Sequence, residues 1–188
     1  MFFRILFIGR GNTRRELETE RLRLRALRAD DVQAIYDGWA SDPEVTRYLT
    51  WNPHQSPDQT RTIMDYWLGE YEKADCYRYG IERRADKVLI GMIDVVGFRD
   101  GTPVIGYCSG RAYWNQGYMT EAFQAVIQEL FACGCSAIIV EAVRENTGSN
   151  RVIEKCGFHF TGSSERPLSR LKPDIVTINS YRLDKCNT

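Results

Sequence analysis

Residues 137–140 read Ala-Ile-Ile-Val, a short apolar run that lies between two segments of helical period. A continuous apolar run of this length is typical of a strand that is buried on both faces of a sheet. The segment before it, Thr120 to Cys133, repeats apolar residues at helical spacing and ends at Gly134. The segment after it, Ser149 to Cys156, is closed by Gly157. This order predicts an α/β domain whose sheet is flanked by helices.

Upstream of residue 120, the pattern predicts a strand, two helices and then three antiparallel strands. Residues 21–25 alternate strictly between arginine and leucine, which is typical of a strand with one buried face. Apolar residues at three- and four-residue spacing predict helices over residues 30–39 and 63–71. Short polar turns separate the next three predicted strands, and such turns join antiparallel neighbours. These strands are predicted at residues 76–82, 88–98 and 104–109.

Two further strands, around residues 158–161 and 175–183, complete the order β-α-α-β-β-β-α-β-α-β-β. We therefore predict an α/β (α+β) fold built on a mixed sheet. No internal repeat or linker divides the chain, so residues 17–188 are expected to form a single domain. Residues 1–16 would precede this domain as an arm or as an extra strand.

The charge balance and the apolar segments limit the kinds of partner that we expect. The 25 basic and 25 acidic residues cancel, so no overall field favours nucleic acid or an anionic membrane. The apolar start, Met1 to Ile8, is much shorter than the roughly 20 residues that span a bilayer, and it lacks the features of a signal peptide. We expect a cytoplasmic protein with neither a nucleic-acid nor a membrane partner.

The six cysteines do not indicate a disulfide framework or a metal site. The chain is long enough to bury its own core, and such a protein in a reducing compartment keeps its thiols. Cys133 and Cys135 are separated by one residue, whereas zinc sites use a wider spacing and a second pair of ligands. The sequence therefore predicts no bound metal.

The segment from Tyr113 to Ala122 joins the end of a strand to the start of a helix. The first N–H groups of a helix have no partner within the helix, and the helix dipole adds positive potential there. A phosphate or pyrophosphate is a natural ligand for such a position, and Gly117 would let it approach the backbone closely. The alternative is a plain strand-to-helix turn in which Gly117 is needed only for the backbone conformation.

A second polar segment, Glu145 to Asn150, follows the buried strand and opens the next helix. Ser149 is a candidate N-cap, and the Asn146 side chain could hydrogen-bond the amide groups of a ligand. The alternative is that both residues only cap the helix and turn the chain. In β-α-β-α order both helix starts are expected near one end of the sheet, where together they would suit a long phosphorylated thioester carrier.

These segments resemble the GNAT acetyltransferases, and within them the Rim-type branch, which includes enzymes that acetylate the N-termini of ribosomal proteins. Three blocks carry the resemblance, and their order and spacing agree with the family over roughly residues 17–183. They are Gly106-Tyr107-Cys108-Ser109-Gly110, residues 113–122, and Glu145-Asn146-Thr147-Gly148-Ser149 with Glu154-Lys155-Cys156-Gly157-Phe158. The resemblance implies a mostly antiparallel sheet whose central strands splay apart, with acetyl-CoA in the gap.

The resemblance also implies roles for individual residues toward acetyl-CoA. Backbone groups of Tyr107, Cys108 and Ser109 would pair with the pantetheine arm as an added strand does. Asn146 would hold that arm and Ser149 would lie near the thioester. Arg151 or Lys155 would reach a phosphate group, although a solvated helix face explains both residues equally well. The residues implied to wrap the pyrophosphate are Asn115, Gln116, Gly117, Tyr118, Met119 and Thr120.

Several positions depart from the wider family and affect the expected chemistry. Ile153 stands where many members have a tyrosine acid, so Ser149 becomes the expected donor to the leaving thiolate. Val104 and Thr161 stand at positions where glutamates are frequent. The remaining candidates to relay the amine proton through water are Glu141 and Asp94, and either carboxylate could instead be structural.

The expected reaction is direct acetyl transfer in a ternary complex to a primary amine, either a protein α-amine or a small-molecule amine. A backbone N–H of the strand at residues 104–109 would stabilise the oxyanion. An acyl-enzyme at Cys108 is not favoured, because no histidine is placed to activate the thiol. Residues 30–52 and 64–79 would supply the acceptor pocket. Their aromatic residues are more typical of a core than of a binding site, and they include Trp39, Tyr48, Trp51 and Trp67.

Two other functions are alternatives to this reaction. The missing glutamates and tyrosine are compatible with a regulatory module that binds acyl-CoA and has little activity. An unrelated nucleotide-binding protein is disfavoured, because the chain lacks both Gly-x-Gly-x-x-Gly and Gly-Lys-Ser/Thr. A homodimer through a sheet edge or the N-terminal arm is compatible with either enzyme or module.

Overall fold

The computed structural model describes residues 16–73 and 76–186, which form one eight-stranded mixed sheet flanked by helices. The predicted arm at residues 1–16 lies almost entirely outside the described residues. The strands lie in the order β1-β2-β3-β4-β5-β6-β8-β7 across the sheet. Their bounds are β1 Leu17–Glu18, β2 Leu22–Arg25, β3 Arg78–Arg83, β4 Val88–Arg99, β5 Thr102–Ser109, β6 Ala137–Val143, β7 His159–Ser169 and β8 Lys172–Asp184.

Helices cover both faces of the sheet, as the apolar run at residues 137–140 predicts. Two of them, α4 and α5, pack over one apolar cluster that includes Phe123, Leu130 and Ile153. The others pack over a second cluster that includes Trp39 and Met64. The bounds are α1 Val32–Ile35, α2 Pro43–Thr46, α3 Pro57–Glu70, α4 Tyr118–Ala132 and α5 Thr147–Lys155. No helix within the described ranges has the length and apolar character needed to cross a bilayer.

Three elements differ from the sequence-based expectation. The helix predicted over residues 30–39 is the short α1, which continues into a π-helical turn at Tyr36–Ala40 and is followed by α2. The two-residue strand β1 was not predicted. The last two strands form a hairpin, β7–β8, that is much longer than the predicted segments. Most of the outer part of this hairpin is exposed and polar, so it carries no apolar alternation from which its length could be read.

The central strands β5 and β6 splay apart. They run parallel and pair at only two positions, Val104 with Ile139 and Ile105 with Val140. Beyond these positions, β5 stays paired with β4 as far as Ser109, and β6 stays paired with β8 as far as Val143. The β5 edge that faces β6 is therefore open from residue 106 onward. This confirms the GNAT-like fold class with a mostly antiparallel sheet and splayed central strands.

A buried ion-pair cluster joins β2 to β3 and to the segment before α1. The Arg25 guanidinium donates to both carboxylate oxygens of Asp31 at 2.8 Å and to Glu82 at 2.6 Å. All three side chains are buried. The hydrogen bond to Asp31, opposed by burial and reinforced by Glu82, raises the pKa of Arg25, so the cation persists at every working pH. The cluster fixes the first helical segment, residues 29–40, onto strands β2 and β3.

We predict that Arg25→Met lowers the free energy of unfolding by about 3 kcal/mol or more, because it leaves the buried Asp31 without its cation and Glu82 with only Arg23 at 3.9 Å. Urea or thermal unfolding measures the loss. Arg182→Met is the control, since Arg182 also pairs with a carboxylate but is partly exposed and lies outside the cluster. The control is expected to cost about 0.5 kcal/mol. Equal losses in the two variants would contradict the importance of the buried cluster.

Candidate active site

A cavity of about 620 Å³ opens where β5 and β6 separate. One side is formed by the ends of β4, β5 and β6 and by the start of α5. The other side is formed by α3, by the segment 48–51 and by Arg166 and Leu168 of β7. The polar side chains on its wall include Arg78, Asp94, Tyr107, Glu141, Asn146 and Ser149. Asp94 of β4 and Glu141 of β6 therefore share one cavity with Asn146 and Ser149 at the start of α5.

The start of α4 has the geometry of an anion site. Gly117 precedes the helix in the left-handed region, with φ of +81°, and Asn115 also has positive φ. No side chain caps the helix, so the N–H groups of its first turn remain available to a ligand. Met119 packs against the apolar cluster beneath α4, which leaves room in the loop despite its size. The arrangement suits a phosphate group, as the sequence predicts.

Arg21 holds this loop in place, and sequence reasoning missed it. Its Nη1 donates to the Gln116 carbonyl at 3.0 Å, and its guanidinium lies 4.4 Å from the centre of the Tyr118 ring. Its Nε and its backbone N–H both bind Glu121, at 2.7 and 2.9 Å, and Thr19 donates to the same carboxylate. The sequence shows Arg21 only as the first residue of an alternating strand, with no sign of a contact a hundred residues away.

Asn146, not Ser149, is the N-cap of α5. Its Oδ1 accepts the Ser149 backbone N–H at 3.2 Å, so Ser149 lies in the first turn of the helix. The prediction of Ser149 as the cap was wrong, because α5 already begins at Thr147, two residues before Ser149. Asn150 fixes this turn from beneath: its Nδ2 donates to the Val143 carbonyl at 3.0 Å, and its Oδ1 accepts the Tyr181 hydroxyl at 2.6 Å.

The two helix starts do not lie side by side. Cys156, just after α5, has its Sγ 3.7 Å from the carbonyl of Thr120 in α4, so it is the far end of α5 that meets the start of α4. The nine residues of α5 span about 13 Å. A ligand that meets both the α4 start and Asn146 must therefore be long and extended.

Tyr107 and Ser149 meet across the open edge of β5. The two hydroxyl oxygens lie 2.8 Å apart, and the Tyr107 hydroxyl lies 3.2 Å from the Ser149 carbonyl oxygen. The tyrosine ring packs on Phe123 of α4, with 5.4 Å between ring centres. Burial raises the pKa of the Tyr107 phenol, so it stays protonated at neutral pH. Ser109, the third predicted strand residue, accepts the Trp114 indole N–H at 2.8 Å through its carbonyl.

Asp94 and Arg78 form a buried ion pair on the cavity wall. Arg78 Nε donates to Asp94 Oδ2 at 2.9 Å, and its guanidinium lies 5.2 Å from the centre of the Trp67 ring. The enclosed Nη1 of Arg78 has no hydrogen-bond partner among the described residues. Burial raises the pKa of Asp94 above its usual value, although the charge and hydrogen bond of Arg78 act in the opposite direction. Asp94 is thus a stronger base than an ordinary carboxylate.

Glu141 has a different environment. Arg99 and Ser180 donate to its Oε1, each at 3.0 Å, and Arg166 donates to its Oε2 at 2.6 Å. Burial alone would raise the pKa of Glu141, but the bonds from Arg99 and Ser180 and the charge of Arg166 together hold it below the usual value. A carboxylate with these partners is a weak proton acceptor. Of the two predicted relay residues, the geometry favours Asp94.

Comparison with known proteins agrees with this geometry. The acetyltransferase (GNAT) domain family matches residues 21–159, which is most of the chain. The uncharacterized N-acetyltransferase YoaA of Bacillus subtilis (strain 168) is 34% identical over 149 residues, covering 78% of this chain and 84% of that protein.

The chain belongs to the GNAT acetyltransferase family.

Solved structures of this family superpose closely on the chain. A GNAT-family acetyltransferase from Bacillus anthracis has a TM-score of 0.79 at 24% identity, with 90% of this chain and 98% of that chain covered. The ribosomal L7/L12 α-N-protein acetyltransferase RimL, solved in complex with coenzyme A, has a TM-score of 0.76 at 20% identity, with 88% and 95% covered. The GNAT family that the sequence suggests is confirmed, and the protein is an acyltransferase.

The predicted cofactor residues of this GNAT domain do not all line the cavity. Tyr107, Cys108, Asn146 and Ser149 line it, whereas Ser109, residues 115–120 and the exposed Arg151 and Lys155 do not. Cys108 lines the cavity, but burial, reinforced by the nearby Asp94 charge, raises the pKa of its thiol to about 12. Such a thiol is not a nucleophile at neutral pH, in agreement with the prediction against an acyl-enzyme.

The aromatic residues expected in the core divide into two groups. Trp39 is 1% exposed and belongs to the core. The other three line the cavity, so the core expectation was wrong for Tyr48 and incomplete for Trp51 and Trp67, which contact both the cavity and the apolar cluster. Tyr66, one residue before Trp67 on α3, also lines the cavity. These four rings form the aromatic wall of the cavity.

We predict that Asp94 titrates above the usual aspartate pKa and that Arg78→Met raises its pKa further. The substitution removes the cation that stabilises the carboxylate, so the protonated form gains. NMR titration of the labelled side-chain carboxyl carbon measures both values. Arg99→Met is the control, because Arg99 contacts Glu141 instead and should leave the Asp94 midpoint unchanged. A midpoint that falls or does not move in Arg78→Met contradicts the assignment.

Proposed function

We propose that the protein transfers an acetyl group from acetyl-CoA directly to a primary amine in a ternary complex. The observation that carries this proposal is the open edge of β5, which begins at residue 106 and faces a cavity that also contains Ser149 and Asp94. A pantetheine arm can pair with unsatisfied backbone groups on that edge as an added strand does. The thioester at the end of the arm would then lie between the start of α5, which carries Ser149, and the aromatic wall.

The dimensions of the site support a coenzyme A ligand. The start of α4 suits the pyrophosphate and lies near the end of α5, while Asn146 lies at the start of this helix, which is about 13 Å long. Within the described chain, the Asn146 side chain has a recorded partner only for its Oδ1, so its Nδ2 can donate to an amide carbonyl of the arm. The related RimL structure contains coenzyme A, which agrees with this ligand.

The aromatic half of the cavity would receive the acceptor. Tyr48, Trp51 and Trp67 present apolar and π surfaces, while Asp94 supplies a carboxylate whose partner Arg78 lies over the Trp67 ring. A peptide α-amine and a small-molecule amine both fit this description. RimL is named for acetylating an α-amine of a ribosomal protein, which supports a protein N-terminus as one acceptor type.

The mechanism that we propose uses the neutral amine as the nucleophile. An α-amine with a pKa near 8 is partly neutral at physiological pH, so no strong base is needed. The amine attacks the thioester carbonyl, and a backbone N–H on the open edge of β5 stabilises the oxyanion. Asp94 relays the amine proton through water to solvent, and Ser149 donates a hydrogen bond to the sulfur as coenzyme A leaves.

We predict that Ser149→Ala lowers kcat by about tenfold or more and leaves the KM for acetyl-CoA nearly unchanged, because the lost hydrogen bond forms only as the thiolate develops. Release of free CoA thiol with a panel of peptides and small amines provides the assay. Ser164→Ala, an exposed serine on β7, is the control and should behave as wild type. An active preparation in which Ser149→Ala keeps the wild-type kcat contradicts the assignment.

We predict that Asn146→Asp raises the KM for acetyl-CoA by about tenfold with a smaller change in kcat. Aspartate keeps the oxygen that caps α5 but lacks the amide donor, so the helix is retained while the bond to the pantetheine is lost. Asn146→Ala removes both and should also lower stability, by about 1 kcal/mol. Tight acetyl-CoA binding without CoA release for any acceptor would favour a binding module over the proposed transfer.

We predict that Gly117→Ala weakens the affinity for coenzyme A, measured by calorimetry, because a β-carbon is disfavoured at φ of +81° and the loop must shift. Gly101→Ala is the matched control: Gly101 has φ of +76° but lies in the β4–β5 turn, away from the cavity. Both variants should lose about 1 kcal/mol of stability, and only the first should lose affinity. Equal affinity in the two variants would place the pyrophosphate elsewhere.

A further inference from the structure

The hydroxyls of Tyr107 and Ser149 form a close, partly buried pair. Binding of coenzyme A by the β5 backbone does not require this pair. The 2.8 Å separation of the two oxygens is that of a good hydrogen bond. Tyr107 reaches Ser149 from β5, and its ring is fixed by packing against Phe123. Among the cavity-lining residues of β5, β6 and α5, the side-chain hydroxyls are those of Tyr107 and Ser149.

Counting protons leaves two arrangements for this pair. In the first, the Tyr107 O–H donates to Ser149 Oγ, and the seryl proton is free to point into the cavity. In the second, the seryl O–H donates to Tyr107 Oη, and the phenol donates to the Ser149 carbonyl at 3.2 Å. Only the first arrangement lets Ser149 donate to another group, because each hydroxyl has a single proton.

We propose that Tyr107 is a positioning residue for acetyl transfer, whose phenol O–H donates to Ser149 Oγ and so directs the seryl O–H to the sulfur of the leaving thiolate. A developing thiolate selects this arrangement, since a hydrogen bond to a charged acceptor is about twice as strong as one to a neutral carbonyl. The chain of two donors also strengthens each bond through mutual polarisation. The inference rests on the proposed function, in which Ser149 lies near the thioester.

The chemical balance of this step involves only the two substrates and water. When the tetrahedral intermediate collapses, the carbon–sulfur bond breaks and its electron pair moves to sulfur. The seryl O–H stabilises that charge without transferring its proton. The proton lost by the attacking nitrogen passes to water through Asp94, and the thiolate takes a proton from solvent after it leaves. Thioester and amine thus give amide and thiol.

The phenol is suited to orient Ser149 and not to act as the acid itself. Burial raises the pKa of Tyr107, so the O–H remains in place throughout the pH range in which an α-amine is neutral. In the proposed arrangement the seryl O–H is the last donor of the hydrogen-bond chain, so the phenol acts on the sulfur only through Ser149. Removing the phenol oxygen should therefore affect the rate only when Ser149 is present.

Tyr107→Phe tests the proposal, because it keeps the ring and its contact with Phe123 and leaves the β5 backbone unchanged. Single-turnover acetyl transfer at saturating acceptor is expected to slow by about tenfold, with an unchanged Kd for acetyl-CoA. Ser149→Ala and the double variant should have the same rate as each other, because the phenol has nothing to orient once the seryl oxygen is gone. Ser164→Ala, which removes an exposed hydroxyl on β7, is the control expected to match wild type.

Two outcomes overturn the proposal while leaving the proposed function intact: a wild-type rate in Tyr107→Phe, or losses that multiply in the double variant. A wild-type enzyme that releases no CoA with any acceptor contradicts the proposed function instead. If Tyr107→Phe fails to fold, 3-fluorotyrosine at the same position provides the second test. Its more acidic phenol is a stronger donor, so the transfer rate should rise, and an unchanged or lower rate contradicts the proposal.

Discussion

The separation of β5 from β6 is the constraint on which the rest of the site depends. The two strands share only two paired positions, and their outer neighbours β4 and β8 keep the sheet continuous on either side. An unsatisfied backbone edge inside a fold is costly unless something pairs with it. Here the edge borders a cavity, so a ligand with its own amide groups can satisfy it. A ligand bound along this open edge would also meet the start of α4, the start of α5 and the aromatic wall.

The fold gives Asp94 and Glu141, two of the carboxylates that line the cavity, opposite properties. Asp94 is buried beside one guanidinium, and burial outweighs that single pair, so its pKa is raised. Glu141 is less enclosed and accepts bonds from Arg99, Arg166 and Ser180, so its pKa is lowered. The splay of the sheet accounts for both cases. Asp94 lies within β4 under the aromatic wall, whereas Glu141 lies where β6 leaves β5, and Arg99 of β4 and Arg166 of β7 reach it there.

The sequence predicted those parts of the site that are local in the chain. The helix start after Gly117 and the polar turn before α5 are read from a few consecutive residues, because capping and left-handed glycine are local effects. The contacts of Arg21 with Glu121, of Arg78 with Asp94 and of Tyr107 with Ser149 join separate elements. They depend on strand register and on helix rotation, neither of which a single sequence determines. The misassigned cap has the same origin, since Asn146 and Ser149 are both good capping residues and only the backbone decides between them.

If Tyr107 orients Ser149 as proposed, the hydroxyl pair accounts for acetyl transfer without the tyrosine found in much of the family. Ile153 holds that position on α5, is fully buried and packs in the apolar cluster, so a phenol there would have to displace part of the core. Tyr107 supplies a phenol from the opposite side of the gap, but its ring is fixed against Phe123 and its oxygen ends at Ser149. Ser149, one helical turn before Ile153, lines the cavity and would carry the donor there. Placing the phenol on β5 couples donor geometry to the same strand that would bind the pantetheine, so a single element would align both the thioester and the group that stabilises its departure.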